Sequence, residues 1–526
     1  MEQTQTHAIR LCGITKTFGP VVANKSVCLD VRRGEILALL GENGSGKTTL
    51  MNMLSGIYFP DSGDILIDGR EVIIRSPKDA FALGIGMIHQ HFKLVDVFTA
   101  AENIVLGLPG SMHLRRAALV EEIRAIADKY GFHIDPNKKI YNMSVSEKQT
   151  VEIIKVLYRG ANTLILDEPT AVLTPQESDR LFDILRNMKE DGKAIIIITH
   201  KLHEVLAISD RVTILRKGEV VDTVETKEAT VQSLTDGMVG RAVSLEIERN
   251  AMSETPDRLC VEGLTCRGGE GQLVLADVSF TLRGGEILGV AGIAGSGQKE
   301  LCEALMGLYP VERGSIVYLE DIPDHASLDA ASMKAANQTD ITHATATQRM
   351  AMGIRGAFVP EDRLGMGLVA GLDMVNNVML KSYRDAKGFL VNRKPPKKLS
   401  EELIRQLDII TPGTSTPVRR LSGGNVQKVL LGREISSVPK VLVVAYPVRG
   451  LDINSSYTIY RLLNEQKAKG VAVLFVGEDL DVLLELCDRI MVLCGGRVSG
   501  IVDGPSAQKN ELGLLMTQMR SEEVSP

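Results

Sequence analysis

Residues 36–54 read ILALLGENGSGKTTLMNML, and the reading of this run decides the fold. Ile36 to Leu40 is an unbroken apolar pentad, the pattern of a strand buried on both faces. From Lys47 the run continues as a helix-like stretch. A strand, a glycine-rich loop and a helix in that order are the context a phosphate-binding loop requires. Gly41, Gly44 and Gly46 let the backbone curl so that amide N–H groups converge on one anion. The helix N-terminus adds its partial positive charge. Lys47 is placed to reach the β- and γ-phosphates, and the Thr48 hydroxyl to hold Mg²⁺. Gly41, Asn43, Gly44, Ser45, Gly46, Lys47, Thr48 and Thr49 are the candidate nucleotide-binding set, and the chain is expected to bind a nucleoside triphosphate.

Outward from the loop, 526 residues exceed what one core supports, so at least two domains are expected. The net charge of −6 offers no basic field for nucleic acid, and no lysine–arginine run reads as a nucleic-acid tail. MEQTQTHAIRL lacks the pattern of a signal peptide. The longest apolar runs, such as Ala194 to Ile198 and Val441 to Ala445, are strand-length and well short of the ~18 residues of a membrane span. Seven cysteines, an odd number with no CxxC pair, read as buried thiols in a reducing cytoplasm, without zinc or disulfides.

The chain repeats itself. RGEILALLG (Arg33 to Gly41) recurs as GGEILGVAG (Gly284 to Gly292), displaced by 251 residues. Ser144 and Ser422 head two similar motifs, and His200 and Glu478 follow two strand-like runs, now displaced by 278. This predicts a first domain over 1–240, a short mixed-charge linker over 241–257 and a second domain over 258–526. The extra residues of the second copy are placed in a polar surface insertion, Asp321 to Thr347. Each copy alternates short β-branched runs with helix-like stretches, which predicts an α/β domain with a mostly parallel sheet. Ala100 to Gly131 reads as a separate helical lobe.

In the first copy, the polar residues at strand ends mark the ligand side of an open α/β sheet. TLILDEPT (Thr163 to Thr170) ends in two carboxylates: Asp167 can serve Mg²⁺, and Glu168 can orient and polarise an attacking water. His200 closes AIIIITH, where a neutral imidazole can bond the γ-phosphate. Gln90 sits at another strand end and can bridge Mg²⁺ and the water. Phe18 reads either as a ring stacked on adenine or as an ordinary core residue.

A Walker-type loop, a Gln, a serine-led signature, LDEPT and a terminal His, in this order and twice over, resemble an ABC-type ATPase. Two fused copies with TAVLTPQE and LSGGN resemble the ATPase subunit of bacterial sugar and nucleoside importers, and GQKEL, PEDR and GEDLD look most like the nucleoside branch. The resemblance implies RecA-like parallel cores, each with an antiparallel β subdomain and a helical subdomain. It implies ATP and Mg²⁺ as ligands, two membrane-spanning permease subunits, an extracytoplasmic binding protein and a place at the cytoplasmic face of the inner membrane. One copy of the chain would supply both ATPase domains. It also implies head-to-tail pairing, the loop of one domain facing the signature of the other.

The two halves fit that pairing unequally. In the second, Gln298 and Lys299 stand where the first has Lys47 and Thr48, and Ala445 and Tyr446 where it has Asp167 and Glu168. Glu361 replaces Gln90, and Glu478 replaces His200. The signatures show the reverse bias: LSGGNVQ keeps Ser422, Gly423 and Gly424, whereas MSVSEKQ has Val145, Ser146 and the charged Glu147. Asp452 matches the facing D-loop position, which is Thr174 in the first half. One competent site per chain is therefore expected. The second loop is either a scaffold or a site that binds nucleotide without turnover. Two other classes stand against this reading: a soluble tandem protein acting on ribosomes or DNA, and a non-hydrolysing regulatory module. The first is expected to carry two competent sites and basic surfaces, and the intact LDE argues against the second.

Overall fold

The computed structural model describes residues 7–90, 92–108, 116–171, 173–241, 247, 249, 256–320, 338–351, 356–383 and 391–517. Most of the expected linker, His91, and residues 321–337 of the expected insertion lie outside them. The chain divides into two units, residues 1–244 and 245–526.

The first unit opens with two long strands, β1 (His7–Phe18) and β2 (Val21–Arg32), paired antiparallel. β3 (Ile36–Leu40) runs into the loop and α1 (Lys47–Leu54). β4 (Ser62–Ile67) and β5 (Arg70–Val72) return to the first sheet, whose order is β2-β1-β4-β5. After α2 (Pro77–Ala82) come β6 (Ile85–Ile88), α3 (Ala100–Val105), α4 (Arg116–Tyr130) and α5 (Val145–Tyr158). Then follow β7 (Thr163–Asp167), α6 (Pro175–Glu190), β8 (Ala194–Ile198), α7 (Leu202–Ile208), β9 (Arg211–Arg216), β10 (Glu219–Glu225) and α8 (Val231–Val239). The second sheet has the order β10-β9-β3-β8-β7-β6, parallel except for the β9–β10 hairpin.

Why β3, β7 and β8 read as unbroken apolar runs is visible in the packing. Every residue of the three is buried. Successive side chains point to opposite faces, so Ile36, Leu164, Leu166, Ile195 and Ile197 enter the core shared with the helices α3 to α6. Leu37, Leu39, Ile165, Ile196 and Ile198 enter the core shared with β1, β2 and α1. A sheet covered on both faces has no position for a polar residue except at the strand ends. The helical lobe extends beyond its expected limits, since α5 packs on α3 and α4 in the same core.

The second unit repeats this topology. Its antiparallel sheet is β12-β11-β14-β15, from β11 (Asp257–Arg267), β12 (Leu273–Arg283), β14 (Arg313–Leu319) and β15 (Gln338–Asp340). Its main sheet has the order β16-β17-β18-β13-β19-β20. The strands are β13 (Ile287–Gly292), β16 (Gly356–Val359), β17 (Val441–Ala445), β18 (Ala472–Val476), β19 (Arg489–Cys494) and β20 (Arg497–Asp503). β15 pairs with β14 as β5 pairs with β4, so residues 338–340 belong to the repeat and are not inserted. Residues 346–351 are helical, and the reading of 321–347 as one surface insertion is corrected accordingly. Three residues are too few to show alternation, so β15 is not legible in the sequence.

Both units keep the same structural ion pairs. Arg211 reaches the buried Glu35 at 3.1 Å, and Arg489 reaches Glu286 at 2.6 Å. Lys189 pairs with Asp210 at 2.5 Å, and Lys467 with Asp488 at 2.6 Å. No helix among the described residues is long and apolar enough to cross a membrane.

Candidate functional site

The loop after β3 is held by contacts only glycine allows. Gly46 has φ 100°, and a Cβ there would lie 2.3 Å from Ala23 O. Its partner in the second unit, Gly297, has φ 99° and would meet Val274 O at 2.6 Å. The backbone cradle is therefore the same in both halves. α1 begins at Lys47 with no side-chain cap, so its amides are left for an anion. Thr48 is exposed and Ser45 buried. Lys47 Nζ donates to the carbonyls of Gly41 (2.5 Å) and Glu42 (2.9 Å). Burial lowers its pKa, against the pull of Glu168, Asp167 and Glu42. In the second unit Gln298 lies in the same place and donates to Ile293 O at 3.1 Å, without a charge.

Asp167 ends β7 and is 9% exposed. Burial, with repulsion from Glu168, lifts its carboxyl to about 6, against the attraction of Lys47. A carboxylate this reluctant to ionise suits an incoming cation, which would restore its charge. Glu168 follows in the left-handed region at φ 48°. Its oxygens accept from Gln90 Nε2 at 3.0 Å and from His200 Nδ1 at 2.9 Å. The His200 hydrogen bond holds Glu168 below the usual carboxylate range, so it is an ionised acceptor and Nδ1 carries the proton. Three residues from the ends of three parallel strands thus meet at one carboxylate. Beside it, Thr48, Gln90 and Asp167 offer a hydroxyl, an amide oxygen and a carboxylate, the hard oxygen ligands that Mg²⁺ takes.

The second unit fills the corresponding place with an ion-pair cluster. Tyr446 occupies the Glu168 position with the same φ of 48°, and burial raises its phenol well above the ordinary value. Arg449 pairs with Glu361 and lies 3.2 Å from Glu478. The residues expected to replace Gln90 and His200 are therefore bound to a guanidinium rather than to a carboxylate. Sequence reading passed over Arg449, although its absence from the first half, where Ala171 stands, was the available signal.

The signature helices begin differently. Ser144 caps α5 in a capping box, accepting from Glu147 N while Glu147 accepts from Ser144 N at 2.7 Å. Glu147 also pairs with Lys138 at 2.7 Å. The charge of Glu147 is thus balanced by Lys138, and its carboxylate accepts at the start of its own helix. Ser422 caps the helix Gly423–Ile435, whose first turn has no acid. A Cβ on Gly424 would lie 2.7 Å from Ser455 Oγ, so a side chain there would have to displace the hydroxyl that bonds Asp452. Asp452 caps the helix Ile453–Ala468, accepting from Ser455 N at 2.8 Å, as Thr174 caps α6. Phe18 is 42% exposed and meets Tyr58 edge-on at 5.2 Å, which removes the core reading of it.

The ABC transporter family model matches residues 24–171 and 275–447, one match in each unit. The chain is 41% identical over 515 residues to the nucleoside import ATP-binding protein NupA of Lactococcus lactis subsp. cremoris, covering 97% of each chain. It is also 41% identical over 526 residues to the guanosine import ATP-binding protein NupO of Bacillus subtilis, covering 98% of this chain and 99% of that one. The ribose import ATP-binding protein RbsA 1 of Streptomyces avermitilis is 40% identical over 512 residues, covering 96% and 92%. With two nucleotide-loop folds in one sequence and relatives matched end to end, the chain belongs to the ABC transporter family as a tandem ATP-binding protein.

Proposed function

We propose that the chain energises a binding-protein-dependent importer, nucleosides being its cargo, and that it hydrolyses ATP at one site only. The observation that carries this reading is the division of labour between the halves. Gln90, Glu168 and His200 converge in the first, whereas Glu361, Tyr446, Arg449 and Glu478 fill the equivalent place in the second. In the head-to-tail pairing of the family, Lys47, Thr48, Gln90, Asp167, Glu168 and His200 of the domain 1–240 would meet Ser422, Gly423, Gly424 and Asp452 of the domain 258–526, across the linker 241–257. The loop from Gly41 through Thr49 would hold the phosphates and Phe18 the adenine. Thr48, Gln90 and Asp167 would hold Mg²⁺, which neutralises phosphate charge when bound. Glu168 would then orient and polarise the attacking water, and His200 would bond the γ-phosphate through its free nitrogen.

Two membrane-spanning permease subunits and an extracytoplasmic binding protein would complete the assembly, with this chain at the cytoplasmic face of the membrane. The relatives named for nucleosides support the cargo class, and the ribose relative supports a sugar as the second reading. The test is ATPase activity of the chain purified with its membrane subunits and binding protein, against nucleosides, ribose, galactose and riboflavin. Nucleoside stimulation that is lost in Glu168→Gln and retained in Tyr446→Ala is expected. Equal losses in both variants would refute single-site hydrolysis, and stimulation by a sugar alone would replace the cargo.

A further inference from the structure

We propose that Thr170, Lys201 and Glu204 form a positioning network for the hydrolytic centre, tying the loop that carries Glu168 to the loop that carries His200. The proposal rests on the reading that the first half is the hydrolytic one.

Thr170 lies two residues beyond Glu168 and is 1% exposed, and Lys201 directly follows His200. Lys201 Nζ donates to Thr170 O at 3.1 Å and pairs with Glu204 Oε1 at 3.1 Å. Thr170 Oγ1 donates to Glu204 Oε2 at 2.5 Å, which closes the ring. The two strand-end loops are thereby joined through side chains, one step behind the Glu168–His200 bond. Local preference does not explain the residues chosen. Lys201 is the N-cap of α7 and makes no side-chain cap bond, although that position favours Ser, Thr, Asn or Asp and disfavours a cation. A residue that breaks a local rule is expected where function holds it.

The second half supplies an internal control. At the matching positions it has Val448, Asp479 and Val482. Val448 and Val482 pack against the apolar core, and Asp479 caps the helix Leu480–Leu486, accepting from Asp481 N at 2.9 Å. All three members are lost together, in the half that has also lost both carboxylates. The structural pairs are kept, Arg489–Glu286 matching Arg211–Glu35 and Lys467–Asp488 matching Lys189–Asp210. A network serving the fold would have been kept with them. This one follows the chemistry.

Its effect is on placement. His200 is half exposed, so its position relative to Glu168 depends on the two loops rather than on packing. A displacement of ~1 Å at such a site costs on the order of a hundredfold in rate. The test is steady-state hydrolysis of Mg-ATP by the full chain assembled with its membrane subunits. Thr170→Val and Lys201→Met are each expected to lower kcat at least about tenfold with KM for ATP within about twofold. Thr170→Ser, which keeps the hydroxyl, is expected to stay near the wild type. The double variant should fall little further than either single one. Wild-type kcat in Lys201→Met, or a Thr170→Ser as impaired as Thr170→Val, overturns the network. Should Thr170→Val fail to fold, the partly exposed Lys201 decides alone. Glu168→Gln in the same assay separates the two claims: hydrolysis surviving there refutes the reading of the first half. A dead Glu168→Gln beside a fully active Lys201→Met refutes only the network.

Discussion

Asp167→Asn is expected to make the chain more stable while abolishing its hydrolysis. The carboxyl lies at the end of β7, nearly enclosed, and its folded-state value of about 6 stands above the ordinary 3.8. A raised carboxyl binds its proton more tightly in the folded state than in the unfolded one. Folding stability is therefore lost as pH rises from about 4 to about 6, and the penalty is complete above that window. At 1.36 kcal/mol per unit the penalty comes to about 3 kcal/mol, already net of the attraction from Lys47. Asparagine resembles the protonated acid in shape and carries no charge, so at pH 8 the variant should recover most of this. For a unit of this size that is about 6–12 °C in the melting transition. The assay is thermal melting of both proteins in EDTA without nucleotide, from pH 4 to pH 8. The difference should shrink to nothing toward pH 4. A variant that melts no higher than the wild type at pH 8, or whose advantage persists at pH 4, would show that burial does not disfavour the Asp167 charge.

Glu147→Ala should cost about 1 kcal/mol through loss of the capping box on α5, read as an earlier denaturation midpoint of the first unit. Arg211→Met strands Glu35, a buried carboxylate, and should cost about 3–5 kcal/mol, measured by chemical denaturation. The same substitution at Arg489 should have a similar effect on the second unit, since Glu286 is as deeply buried.

The strand–loop–helix at 36–54 and the doubled order of motifs were legible because glycine, lysine and carboxylate positions are fixed by chemistry and need no tertiary context. The duplication itself exposed Gln298, Ala445 and Tyr446 as replacements, and three strand-end residues read from a string did converge on one carboxylate. What the sequence concealed were side-chain bonds between distant loops. The Arg449 cluster depends on which strand ends are neighbours, and that follows only from the sheet order, whereas the pairing of Glu147 with Lys138 depends on how the loop before α5 folds back on its first turn. The caps were closer to the surface of the text. Thr99-x-x-Glu102, Ser144-x-x-Glu147 and Thr174-x-x-Glu177 are all capping boxes, and the first half's signature is one of them. Read that way, Glu147 is a helix-starting residue before it is a defect in a phosphate site.

The left-handed backbone at Glu168 recurs at Tyr446, where no acid remains to be aimed. Each residue's amide donates to the end of the neighbouring strand, Glu168 N to Ile198 O at 2.8 Å and Tyr446 N to Val476 O at 2.9 Å. A positive φ on such side chains costs on the order of 1 kcal/mol and is commonly taken as the mark of a working site. Here the duplicate answers the question a mutant would be made to answer. The kink is present in the half that has no carboxylate there, so it is set by the junction of two neighbouring strand ends and not by the acid. An acid could be lost from the second copy, or gained in an ancestor, without the backbone having to learn a new shape.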